Sequence, residues 1–307
     1  MTLAHATPTA TGKRRARRVA SRHAGWSTVV LLAPASLLFA VFVVYPIAAS
    51  LRLSLHDWDG IGVPVFVGLA NYRELLADPV FWTAIQNNVR WLAGYLVAPV
   101  AGFALAVFLS QPLPGMRGVR TLFFLPFVLS QVVVGLVFAW FFHARYGLFH
   151  TLLAWAGVGH VSPMDSETWS IYTMIVAGLW PQTAYCMILY LTGLASLPGG
   201  IVDSARVDGA RGSQLLRHVV LPELRAVHFI VAMVCAVAAL RSFDYVMIMT
   251  LGGPFNRSTV LAFYMVEQTF VGLRYGYGAA IATVLLVMMS GIIFALLWRL
   301  LRDEPVR

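Results

Sequence analysis

The chain has 307 residues, of which 59% are apolar and 11% charged, with a formal net charge of +9. So little polar material cannot coat a soluble globule of this size, which leaves an integral membrane protein built as one polytopic domain. The basic balance does not point to nucleic acid, because the arginines are spread over loops and not gathered on one face. Anionic lipid headgroups are the expected counter-charge.

Residues 1–26 read as a basic tail, with Lys13, Arg14, Arg15, Arg17, Arg18 and Arg22 ahead of the first apolar run. A membrane helix needs about 20 apolar residues, at about 1.5 Å each, to cross about 30 Å of hydrocarbon. Six segments meet that length: residues 27–51, 89–109, 119–142, 170–194, 227–249 and 279–301. Runs this long exclude the alternating strands of a barrel, so the expected fold class is all-α with six transmembrane helices. The first run is longer than the roughly 7 to 15 residues of a secretory signal core, and it reads as a retained helix interrupted by Pro34 and Pro46.

Between the spans, cations alternate with acids. Arg117 and Arg120 lie at the start of the third span, Arg206, Arg211, Arg217 and Arg225 precede the fifth, and Arg299, Arg302 and Arg307 lie at and beyond the end of the sixth. The intervening loops carry Asp57, Asp59, Glu74, Asp78, Asp165 and Glu167. Arginine-rich short loops stay inside, so both termini, including the tail 302–307, are expected in the cytoplasm.

Chemistry of other kinds finds little footing. Cys186 and Cys235 fall inside spans, and the histidines show no metal-ligand spacing. Lys13 is the single lysine, and Thr7 and Arg14 stand where a phosphate-binding loop needs glycine and serine or threonine. The chain is therefore expected to bind no cofactor, with any ATP and magnesium held by a separate ATPase subunit.

Between spans four and five the chain turns polar. Asp203, Ser204 and Ala205 are followed by Asp208, Gly209 and Ala210, and Val219-Val220-Leu221-Pro222 leads into the fifth span. Residues 200–207 suit a short helix, Gly209 a sharp bend, and residues 214–220 a second helix stopped by Pro222. The slim bend, flanked by the Asp203 and Asp208 carboxylates, suits entry into a cleft on a partner.

This spacing resembles the signature loop of ABC-importer permeases: Glu-Ala-Ala, glycine in the seventh place, then Ile-x-Leu-Pro. Asp203 and Ser204 depart from it by one shorter acid and one hydroxyl. The resemblance continues through Gly68 to Tyr72, Asp78 to Trp82, Asn87-Asn88, Ser242 to Tyr245, Thr250 to Pro254, Tyr264 to Phe270 and Tyr275 to Ala280. These segments are similar to those of carbohydrate importers such as the maltose and glycerol-3-phosphate permeases. The resemblance implies a type I importer permease fold with the coupling loop at 196–222 in a membrane domain of residues 27–301. It also implies a second permease subunit, two cytoplasmic ATP-binding subunits and an extracytoplasmic sugar-binding protein, in a bacterial plasma membrane. An ion-coupled secondary transporter or a six-helix channel is the alternative, and Asp244 is the one acid deep enough to serve it.

Sugar-pathway residues should be polar or aromatic at mid-membrane depth, which selects Gln131, Trp180, Gln182, Tyr185, Tyr190 and Tyr245. Trp180, Gln182 and Tyr185 cluster around Pro181, which is expected to open the backbone. Arg241 and Asp244, three apart, read as a charge-neutralising pair on one helix face.

Overall fold

A computed structural model describes residues 30–157 and 162–303. The basic tail, the start of the first expected span and Arg307 lie outside those residues. The chain forms two units, residues 1–52 and 53–307. The first holds most of α1 (Val30–Leu53), a helix of 24 residues. Ahead of Pro46 its backbone takes one wide turn, with Tyr45 N–H bonding to the Ala40 carbonyl five residues back. Proline lacks an N–H, and its ring would otherwise meet the carbonyl four residues earlier.

The second unit opens with a short antiparallel hairpin, β1 (His56–Asp57) against β2 (Val65–Phe66), pairing His56 with Phe66. It is followed by α2 (Ala70–Ala77) and α3 (Pro79–Leu109). Asp78 caps α3 by accepting from Val80 N–H at 2.8 Å, with Pro79 in the first turn where its missing N–H costs nothing. This cap starts the helix ten residues ahead of the expected residue 89. Its 31 residues span about 46 Å, more than the about 30 Å of hydrocarbon.

The expected span 119–142 is two helices, α4 (Met116–Val128) and α5 (Gln131–Phe141), bent by 94°. Pro126 weakens the end of α4, and Leu129 turns extended. Ser130 then caps α5 by accepting from Val133 N–H at 3.3 Å, so a new helix starts instead of the old one continuing. With this bent pair counted as one span there are six among the described residues, and five without it.

After α6 (Leu148–Trp155) comes α7 (Ser170–Ala195), which runs unbroken through Pro181 where an opened backbone was expected. The polar stretch forms α8 (Gly199–Val207) and α9 (residues 213–223). Then follow α10 (Arg225–Met249), α11 (residues 261–271) and α12 (Tyr275–Asp303). Pro222 does not stop α9. A wide turn over Leu216–Val220, with Leu221 N–H bonding to the Leu216 carbonyl, makes room for the proline ring as before Pro46.

Three apolar clusters hold the second unit. Trp91, Ile171, Met174 and Tyr245 centre the first, Ala98, Ala106, Met187 and Cys235 the second, and Leu75, Phe81, Tyr264 and Ile281 the third. Gly102 lets α3 lie directly on α7, since a Cβ there would meet the Cys186 Cβ at 2.6 Å. Close backbone approach through small residues is how membrane helices pack without a hydrophobic driving force between them.

Candidate functional site

The polar hairpin is shaped by backbone demands. Gly209 has φ +89°, the left-handed region that favours glycine. Its N–H bonds to the Arg206 carbonyl at 3.1 Å, and Ala210 N–H bonds to the Ala205 carbonyl at 2.9 Å. This pair of bonds closes the end of α8 and satisfies two carbonyls the helix would leave bare. Gly212 also has a positive φ, +50°, and leads the chain into α9. The bend stands free, with no atom within 4 Å of where a Gly209 Cβ would sit.

Asp203, Ser204, Asp208 and Pro222 are exposed, while Ala205, Ala210 and Leu221 are half-buried. Ser204 donates to the Ile201 carbonyl within its own helix. Asp203 is paired with Arg206 at 3.4 Å across one turn, an exposed contact easily exchanged for a partner's cation. A cleft of about 830 Å³, lined in part by Gln111, Arg120, Leu194, Asp203 and Arg206, separates the hairpin from the ends of α3, α4 and α7.

The six expected pathway residues do not converge. Gln131 and Tyr185 share a cleft of about 670 Å³ with Arg241, Asp244, Val237 and Ile293. Trp180 lines a different cleft of about 500 Å³, edge-on to Phe138. Gln182 is buried and donates to Cys235 Sγ at 3.3 Å. Tyr190 is buried beside His228, and Tyr245 is buried and stacked on Trp91. Each residue advances about 100° around a helix, so Trp180 and Gln182 face opposite sides of α7.

Arg241 and Asp244 do not neutralise each other. The helix breaks at Arg241 and Ser242 between two helical stretches, Arg225–Leu240 and Phe243–Met249, so a three-residue spacing no longer makes them neighbours. No ion pair joins either to another described residue, and both face the cleft that holds Gln131. The signal for them was present as two charges in an apolar run.

Two asparagines also carry more than their motif showed. Asn87 donates to the carbonyls of Arg257 and Thr259 at 2.8 Å each, and Asn88 accepts from Leu261 N–H at 2.9 Å. They tie the loop after α10 to α3. Nearby, Asp78 accepts from the hydroxyls of Tyr264 and Tyr277, and Glu74 pairs with Arg274 at 2.6 Å. Burial, followed by the Asp78 carboxylate, pushes the Tyr264 phenol above its usual range.

Residues 98–303 match the family described as "Binding-protein-dependent transport system inner membrane component". The chain is 33% identical over 275 residues to a probable ABC transporter permease of Pyrococcus horikoshii, covering 88% of this chain and 94% of that one. It is 31% identical over 281 residues to the sulfoquinovosyl glycerol transport permease of Agrobacterium fabrum, covering 90% of each. A lactose transport permease of Rhizobium radiobacter is 31% identical, with 88% and 91% covered. The fold matches that of a chain in a bacterial ABC transporter that imports the acidic polysaccharide alginate, with TM-score 0.80, 20% identity and 94% and 100% of the chains covered. By family, by length and by fold, the chain belongs to the inner membrane components of binding-protein-dependent transport systems and is an ABC-importer permease.

Proposed function

We propose that this permease forms one half of the translocation pathway of a carbohydrate importer, beside a second permease subunit. The α8–α9 hairpin docks into one of two separate ATP-binding subunits, which hold ATP and magnesium. An extracytoplasmic sugar-binding protein delivers the cargo to the other side. The hairpin and both termini then lie in the cytoplasm.

The carrying observation is the hairpin itself, a free-standing bend at Gly209 that presents Asp203 and Asp208 to solvent. For the cargo, relatives named for lactose, trehalose/maltose and xylose/arabinose transport support a sugar. The cleft of Gln131, Tyr185, Arg241 and Asp244 supports it chemically. An amide, a phenol, a guanidinium and a carboxylate supply both donors and acceptors for hydroxyls, at helix breaks where irregular backbone lines a cavity.

The test is reconstitution of the complex in proteoliposomes with labelled lactose, maltose and xylose. Gly209→Trp is expected to insert normally, release the ATP-binding subunit and abolish uptake. Arg241→Gln and Asp244→Asn are expected to alter uptake while leaving that subunit bound. Wild-type uptake by Gly209→Trp refutes the docking role.

A further inference from the structure

A moving hairpin pulls on α10 through the chain, since α9 runs into it at Leu224 and Arg225. At its other end α8 is tied to α7 by residues 196–198, and a second, non-covalent link joins α9 to α7. The cleft of about 830 Å³ is lined by the end of α7 on one side and by α8 and α9 on the other. The second link runs through the first turns of α10. Leu224 and Val227 lie against Gly193 of α7, where a Cβ would meet the Val227 Cγ2 at 2.8 Å and the Leu224 Cδ2 at 3.0 Å. One turn further along, His228 reaches in two directions. Its Nε2 lies 3.1 Å from the Leu221 carbonyl in the last turn of the hairpin, and its Nδ1 lies 3.0 Å from the Tyr190 hydroxyl on α7.

The partners determine the tautomer. A carbonyl can only accept, so Nε2 carries the hydrogen. In the neutral ring Nδ1 is then an acceptor, and the Tyr190 hydroxyl donates to it. Phe103 of α3 packs edge-on against both rings, 5.2 Å from Tyr190 and 6.0 Å from His228. Tyr190 is buried, so its hydroxyl has no water to turn to if the bond is lost. Tyr185, in the cleft with Arg241 and Asp244, lies five residues away, about 7.5 Å of helix rise.

We infer that His228 is a positioning residue that couples the hairpin to α7, by bonding the Leu221 carbonyl on one side and the Tyr190 hydroxyl on the other. The inference rests on the docking role proposed for the hairpin. Displacement of α9 reaches α7 through this imidazole, and from there the wall of the membrane cleft.

The test uses the complete transporter in proteoliposomes, with whichever of labelled lactose, maltose or xylose the wild type imports fastest. Sugar moved per ATP hydrolysed is measured alongside retention of the ATP-binding subunit. Tyr190→Phe removes one hydroxyl, and His228→Phe keeps an aromatic ring against Phe103 but removes both bonds. Each is expected to lower sugar per ATP by at least about 5-fold, the lower range of measured coupling between sites, with the subunit still bound.

The double variant should be no worse than His228→Phe alone, because both act on one bond. His228→Gln, which has both a donor and an acceptor, should recover part of the loss. Wild-type sugar per ATP in Tyr190→Phe, or losses that add in the double variant, overturns the inference. Should His228→Phe fail to fold, Tyr190→Phe alone decides. Failure of the docking role shows separately, as Gly209→Trp that keeps both its subunit and its uptake.

Discussion

Gly209 offers a perturbation whose size follows from its backbone. At φ +89° an L-residue pays about 1–2 kcal/mol for left-handed geometry. With nothing within 4 Å of the added Cβ, alanine pays that cost and no steric one. A cost of this size is a factor of about 5–30 in the ratio of bent to unbent hairpin. If only the bent form docks, apparent affinity for the ATP-binding subunit falls by up to the same factor. Titrating that labelled subunit onto the permease complex in nanodiscs measures it directly. The expected order of affinity is glycine, then asparagine, then alanine, then valine, because asparagine tolerates the left-handed region and β-branching does not. Equal affinities for asparagine, alanine and valine variants would mean that conformation is not what the position supplies.

Gly102→Ala should destabilise the α3–α7 seam by about 1–3 kcal/mol, since the new methyl meets the Cys186 Cβ at 2.6 Å and the Met187 nitrogen at 2.8 Å. Thermal unfolding in detergent reads this, and an unchanged midpoint would show the seam to be loose. Asn87→Ala leaves the Arg257 and Thr259 carbonyls without their amide donor. A loss of about 1–3 kcal/mol is expected, with faster proteolysis of the loop after α10 as the sensitive readout. Because the folded state raises the Tyr264 phenol, its stabilising contribution is complete below the ordinary tyrosine value of about 10 and is lost as pH rises beyond it. Tyr264→Phe should therefore flatten the alkaline limb of the stability curve, which an identical limb in both proteins would contradict.

Some of this architecture could be read because its causes lie within one turn of chain. Apolar length marks a span whatever surrounds it, and the expected helices at 170–194 and 279–301 sit within α7 and α12. The Gly209 bend was legible for the same reason, since one residue's missing Cβ permits it. Asp78 and Ser130, the caps that moved the start of α3 and broke the third span, were equally local but weaker than the hydropathy running through them.

What the sequence determined by itself was thus the class of molecule, the run of its helices and the shape of the hairpin, since hydropathy and backbone freedom belong to each residue alone. Only the tertiary structure decided which side chains meet. It parted Trp180 from Tyr185, buried Gln182 and Tyr245, and separated Arg241 from Asp244 by a break in their helix. It also brought His228 to Tyr190 across 38 residues. A helical period tells which residues share a face, but what that face meets depends on the packing of helices distant in the chain.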